Sequence, residues 1–277
     1  MSAEPSPPTE LSVLLAVAHE ALDAVAPHVR NRQISSVSAK GDRDMLTDLD
    51  ILVERTVRTH LQKATPQLGF YGEEEGQQGE GDAMWVLDPI DGTANFVHGI
   101  PLVGISLALL RDAQPVLGIV DLPILRQRYW AAEGLGAFRD DNPIAAAPVR
   151  ELTDAIVSVG DYAYGPGAAS RNDAAFAVHR ALAANVQRVR MLGSAAVDLI
   201  WVADGTLAAS VTLSNNDWDM AAGVAIAREA GAVITDIHGT PHTTQSGTTI
   251  AAAPALSEDL LAVLADASVA HAGSTAC

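Results

Sequence analysis

Cysteine is almost absent from this 277-residue chain: the one present, Cys277, is its last residue. That excludes a disulfide framework, a thiolate zinc site and an internal cysteine nucleophile. Aromatic side chains are scarce too, at 4%, so a core must be packed from Ala, Val, Leu and Ile. Positive charge is the minority sign, with 17 Lys and Arg against 34 Asp and Glu, a net charge of −17. Such a chain is a poor nucleic-acid binder, because that affinity comes from neutralising phosphates. No apolar run approaches the ~20 residues a membrane helix needs. The opening Met1-Ser-Ala-Glu-Pro-Ser-Pro-Pro8 has neither the basic nor the apolar part of a secretory signal. The expectation is a cytoplasmic protein whose partners include neither nucleic acid nor membrane. A Walker A loop and a His-Glu-x-x-His zinc motif are also missing, and Gly165-Pro166-Gly167 lacks the third glycine of a dinucleotide loop.

What is present alternates clearly enough to read. Leu11, Leu14, Leu15, Ala18, Leu22, Val25 and Val29 predict a helix over 10–30. Residues 31–46 are polar, with a turn at Lys40-Gly41-Asp42. Thr47 or Asp48 caps a second helix whose buried face is Leu49, Leu52, Val53, Val57 and Leu61. Short apolar runs at 68–71, 84–90, 102–110, 115–121, 128–138 and 155–161 predict strands. Helices follow at 171–185, from Ser194 to near Asp204, at 218–230 and at 256–266, with strands at 206–213, 232–236 and 248–253. Consecutive strands come first and alternating strands and helices later. This predicts an N-terminal α+β half over 10–145 and a C-terminal α/β half over 146–267, flanked by a disordered tail at 1–9 and another tail at 268–277.

Four acidic clusters stand at element boundaries: Asp44-Met-Leu-Thr47-Asp48-Leu49-Asp50, Gly72-Glu73-Glu74-Glu75, Trp85-Val-Leu-Asp88-Pro-Ile-Asp91-Gly92-Thr93-Ala-Asn-Phe96, and Asp217-Trp218-Asp219-Met-Ala-Ala-Gly223. Taken singly, Asp219 reads equally well as a helix cap, while Asp50 reads more readily as a solvated charge and Glu73–Glu75 as a solvated loop. The Asp88–Asp91 pair resists that reading, since two carboxylates ending an apolar run repel unless a cation joins them. Oxygen donors of this kind suit Mg²⁺.

In order and spacing these clusters, together with Glu229-Ala-Gly231 and Val189-Arg-Met-Leu-Gly193-Ser194-Ala195-Ala-Val-Asp198, resemble the inositol monophosphatase family. The likeness spans residues 10 to 265 and has an actinobacterial style. It implies a layered αβαβα sandwich of the inositol monophosphatase and fructose-1,6-bisphosphatase type, a homodimer, and lithium-sensitive, Mg²⁺-dependent hydrolysis of a small phosphorylated polyol by metal-activated water. By the same resemblance, Glu73, Asp88 and the Ile90 carbonyl hold one Mg²⁺, and Asp88, Asp91 and Asp219 hold a second. A third ion is reached from Glu73 through water. Thr93, hydrogen-bonded to Asp50, and Glu73 orient and deprotonate the water. Gly92 and Thr93 give N–H groups to phosphate, and Asp91, Gly193, Ser194, Ala195 and Asp219 meet the substrate.

The substrate implied first is myo-inositol 1-phosphate. The alternatives are histidinol phosphate, fructose 1,6-bisphosphate and 3′-phosphoadenosine compounds, and from another class a metal-binding pseudoenzyme. Thr212 stands where inositol-preferring members carry an acidic sugar contact; Asn215, Asn216 or Asp217 takes that place if the alignment shifts. A haloacid-dehalogenase mechanism is disfavoured, because Asp88 and Asp91 are three apart rather than two.

Overall fold

The computed structural model describes residues 9–41 and 44–274. The tail expected at 1–9 therefore lies outside the described residues except for Thr9, which caps the first helix. Asp42 of the expected turn lies outside them as well. In chain order the elements are α1 (Glu10–Asp23), α2 (Ala26–Arg30), β1 (Val37–Gly41), β2 (Asp44–Thr47), α3 (Asp48–Ala64), β3 (Gly69–Gly72), β4 (Gly76–Gln78), β5 (Ala83–Asp91), α4 (Thr93–His98), β6 (Gly104–Arg111), β7 (Gln114–Leu122), β8 (Gln127–Ala132), β9 (Gly136–Arg139) and β10 (Asn142–Pro143). There follow β11 (Ile156–Val159), α5 (Ala168–Asn185), β12 (Arg188–Arg190), α6 (Ala195–Ala203), β13 (Ala209–Thr212), α7 (Asp217–Glu229), β14 (Val233–Thr235), β15 (Thr249–Ala252) and α8 (Ser257–Ser274).

Several elements differ from the sequence reading, each for a local reason. The helix expected over 10–30 breaks at Ala24–Val25, because Pro27 opens a new helix and cannot sit inside one. The polar stretch 31–46 contains the antiparallel hairpin β1–β2, whose Ser and Lys residues show no apolar period. The run 128–138 is two strands, β8 and β9. The helix expected to end at 266 continues to Ser274, so most of the tail expected from 268 is helical; its Ala-rich sequence favours helix without an apolar stripe.

Two sheets organise the chain. The first has eight strands in the order β10-β9-β8-β7-β6-β5-β3-β4, and the second five in the order β12-β11-β13-β15-β14. In the large sheet only β3 and β5 pair in parallel. Its central strands β5, β6 and β7 are buried on both faces and divide their side chains by alternation. Trp85, Leu87, Leu107, Leu109, Leu117 and Ile119 pack toward α1 and α3. Val86, Ala108, Leu110, Val120 and Leu122 pack toward α6 and α7. The small sheet turns Ile234 and Ala251 to those same helices, and Val157, Val211 and Ile250 to α5 and α8. The result is a helix–sheet–helix–sheet–helix sandwich, the layering the resemblance implies. No helix among the described residues is long and apolar enough to cross a membrane.

Candidate active site

Strand β5 delivers two carboxylates where a regular strand would deliver one. Against β6, Asp88 pairs with Ser106 and Asp91 with Gly104, so three steps on β5 oppose two on its partner. Residues three apart in a regular strand point to opposite faces; the bulge at Pro89–Ile90 returns Asp91 to the side of Asp88. Pro89 has no N–H to lose there. Asp88 Oδ1 accepts from Ile90 N at 2.9 Å. Gly92 then takes the left-handed conformation, φ 85°, and starts α4. Thr93 Oγ1 donates to Ile90 O at 3.0 Å.

Two helices complete the centre. Ser194, Ala195 and Ala196 at the start of α6 turn toward Asp91: the Ser194 hydroxyl donates to Asp91 Oδ2, as does Ala196 N at 2.9 Å, while Ala195 N donates to Oδ1 at 3.3 Å. The Asn95 side chain ties α4 to this turn through Leu192 O at 2.8 Å. Asp219 lies in the first turn of α7. Its neighbour Trp218 is fixed edge-on against Tyr71, with ring centroids 5.3 Å apart, and its carbonyl accepts from Ser106 Oγ. One carboxylate oxygen from each of Asp88, Asp91 and Asp219 lies within 4.8 Å of the others.

Glu73 belongs to the turn between β3 and β4 and lines the same cavity. Lys40, from β1, pairs with Glu73 and Glu74, each at 2.7 Å. Asp50 is buried at the start of α3 and accepts from Thr47 N and the Thr47 hydroxyl; its Oδ1 has no hydrogen-bond partner among the described residues. The implied Thr93–Asp50 hydrogen bond is therefore replaced here by Thr93–Ile90 and Thr47–Asp50, because the Thr93 hydroxyl has one proton and Ile90 O takes it.

Burial is the main force on these groups. It holds the Asp88 carboxyl well above its ordinary range, with repulsion from Glu73, Asp91 and Asp219 adding to it. Asp91 is pushed up to about 6 by burial despite its three donors. Asp219 is pushed up to about 7 by burial and by the Asp91 charge. Asp50 rises to about 6, again mainly by burial. Among the described residues no Lys or Arg lines the cavity to relieve these charges. A hard divalent cation would, and the donor set is all oxygen, so the residues fit Mg²⁺.

The cavity has a volume of about 320 Å³. Of the residues singled out in the sequence, Glu73, Asp88, Ile90, Asp91, Gly92, Thr93, Gly193, Ser194, Ala195 and Asp219 line it; Asp50 does not. Thr212 lines it too, whereas Asn215, Asn216 and Asp217 do not. The sequence reading gave no site role to two further lining acids, Asp161 after β11 and Asp198 in α6, although Asp198 closes the segment Val189–Asp198. Asp198 is 2% exposed, and its Oδ1 lacks a partner among the described residues. Its signal was available: Asp198 is the one charge within the apolar run of α6.

Comparison with known proteins agrees with this geometry. The model of the inositol monophosphatase family matches residues 8–270. Inositol-1-monophosphatase ImpA of Mycolicibacterium smegmatis is 36% identical over 259 residues, 93% of this chain and 94% of that one. The fructose-1,6-bisphosphatase/inositol-1-monophosphatase of Thermotoga maritima is 35% identical over 208 residues, covering 75% and 77%. Among solved structures, the extragenic suppressor protein suhB of Bartonella henselae gives a TM-score of 0.84 at 30% identity, covering 91% of this chain and 98% of that one.

Proposed function

The chain belongs to the inositol monophosphatase family of phosphoric monoester hydrolases, and from that premise we propose that it hydrolyses the phosphate monoester of a small polyol with Mg²⁺, myo-inositol 1-phosphate first among them. The observation that carries this reading is the meeting of Asp88, Asp91 and Asp219 within 4.8 Å beside the cavity. Glu73, Asp88 and the Ile90 carbonyl would hold one ion; Asp88, Asp91 and Asp219 would hold a second; Glu73 would reach a third through water. When bound, the ions neutralise phosphate charge and make water acidic enough to react near neutral pH. The proposed enzyme is a lithium-sensitive cytoplasmic homodimer.

The chain's own groups orient the reaction and move its proton. Gly92 and Thr93 offer backbone N–H groups to the phosphate, with Gly193, Ser194 and Ala195 packed beside them on the cavity lining. As water attacks phosphorus, its proton passes to Thr93 Oγ1 while the Thr93 proton passes to Asp50 Oδ1, the oxygen without a partner. Rotation about the Thr93 Cα–Cβ bond moves its donor from Ile90 O toward Asp50. Asp219 faces the leaving alcohol.

The charge of the remaining cavity lining supports a substrate class. Asp161 and Asp198 line the cavity, and among the described residues no cationic side chain does. Hydroxyl or ammonium donors satisfy such a wall, whereas a second phosphate meets like charge there. This favours inositol 1-phosphate and histidinol phosphate over fructose 1,6-bisphosphate and 3′-phosphoadenosine compounds. A panel of the four with Mg²⁺ tests it. Phosphate release should stop with chelator and nearly vanish in Asp88→Asn. A bisphosphate turned over most efficiently would overturn the substrate class, and a folded, fully active Asp88→Asn would overturn the hydrolase mechanism itself.

A further inference from the structure

Glu54 is a carboxylate with no exposed surface, in the middle of α3 beside the apolar face formed by Val53, Val57 and Leu61. Both of its oxygens are spent on the turn that follows β3. Oε2 accepts from Glu74 N and Oε1 from Glu75 N, each at 2.8 Å. The last residue of β3 makes room for this contact. A Cβ on Gly72 would lie 2.3 Å from the Glu54 carboxyl carbon.

The arrangement is electrically unusual. The turn already carries Glu73, Glu74 and Glu75, and a fourth carboxylate is buried beneath it. Burial pushes the Glu54 carboxyl up, while the two amides and the Arg58 charge draw it back. A buried anion beside three others is costly unless its position matters. What it fixes is backbone: Glu73 N is tied to Leu87 O of β5 at 3.1 Å, and Glu54 ties the next two amides. Three consecutive N–H groups are thus anchored, and the direction in which the Glu73 side chain leaves the turn is set from both sides. The ion pairs of Glu75 with Arg55 and Arg58 act only on a side chain further along. Arg55 is 62% exposed, where such a pair contributes little, while Arg58 is 14% exposed and holds the Glu75 side chain more firmly.

We propose that Glu54 is a positioning residue for the metal centre: from α3 it holds the Glu73–Glu75 turn by two charge-assisted hydrogen bonds and so presents Glu73 to the ion. The inference rests on the reading of Glu73 as a ligand. Partners that orient a metal ligand commonly change affinity by roughly 10- to 100-fold when lost, and a loss of that size is expected here.

The test is Mg²⁺ binding by isothermal titration calorimetry, with amide hydrogen exchange at Glu74 and Glu75. Glu54→Gln keeps the volume of the side chain but gives one amide a donor to face instead of an acceptor. It should weaken Mg²⁺ binding by that factor and speed exchange at both amides. Gly72→Ala, which displaces the Glu54 carboxylate without removing it, should do the same and carries the measurement if Glu54→Gln does not fold. Leu61→Ala, buried on the same helix, controls for stability alone and should lower the melting temperature with Mg²⁺ affinity unchanged. Folded Glu54→Gln binding Mg²⁺ as tightly as the parent overturns the proposal, as does an equal loss in Leu61→Ala. Glu73→Gln is measured beside them; unchanged affinity there would sink the ligand reading first and the proposal with it.

Discussion

Magnesium should stabilise this protein most at the pH where its clustered carboxylates oppose folding most. Asp91 is raised from 3.8 to about 6 and Asp219 from 3.8 to about 7. Each therefore binds its proton more tightly folded than unfolded. Folding keeps their full contribution below pH 4, and loses it as pH rises through 6 and 7. A tenfold change in proton affinity is about 1.4 kcal/mol, which makes about 3 kcal/mol for Asp91 and about 4 kcal/mol for Asp219 at pH 8. Their mutual repulsion enters both figures, so the larger is taken for the pair. At roughly 2–4 °C per kcal/mol, the metal-free protein should melt roughly 8–16 °C lower at pH 8 than it would with these carboxyls at their ordinary pKa.

His242 pulls the other way over part of this range. Burial and the Arg228 charge lower it to about 4, so its neutral form adds stability as pH rises from 4 to its ordinary 6.5, and nothing changes beyond. Comparing chelated protein with Mg²⁺-saturated protein at each pH cancels that term. The gap in melting temperature, followed by scanning fluorimetry, should be small at pH 5 and widest at pH 8. Asp88→Asn adds a second check, because Asn can still accept from Ile90 N while removing a charge from the cluster. Its chelated form should melt higher than the chelated parent at pH 8 and should not respond to Mg²⁺. A chelated parent whose melting temperature is flat or rises from pH 6 to 8, or a gap equal at pH 5 and 8, would refute this reasoning.

The parts of this fold that repeat along the chain were legible in it. The face of α3 is visible as Leu49, Val53, Val57 and Leu61, although Leu52, expected with them, is 44% exposed, and β5 is visible as an apolar run ending in Asp88. Parts that depend on a partner strand or a distant segment were not. The bulge that brings Asp88 and Asp91 to one side exists only in register with β6. Glu54 looks like a surface charge until Gly72 and the turn beyond it are in place. Asp161 and Asp198 are 37 residues apart and join one wall only because β11 and α6 end beside the same cavity. The α6 N-terminus was read as a substrate contact, yet its hydroxyl and two of its amides are directed at Asp91, a role that only the spatial neighbour reveals.

Two substitutions probe the roles of individual hydroxyls. Ser194→Ala removes the donor to Asp91 and the side-chain cap of α6, whose oxygen accepts from Val197 N at 3.2 Å. It should cost about 1 kcal/mol of stability and move the acid limb of the pH–rate profile to higher pH, since the lost bond favours the charged form of Asp91. An acid limb that stays in place would separate Ser194 from the titration of Asp91. Thr93→Ala tests the proton path. A relay of this kind contributes about 10²–10⁴-fold, so kcat should fall by roughly that factor while KM moves little; a change in KM alone would make Thr93 a binding residue. In the structure Thr93 donates to Ile90 O and Asp50 is held by Thr47, so the two residues are joined only if the hydroxyl turns during the reaction. Asp50→Asn and the double variant decide this. Groups acting in one path are not additive, so the double variant should be no slower than the worse single one, whereas losses that multiply would show that Thr93 and Asp50 act separately.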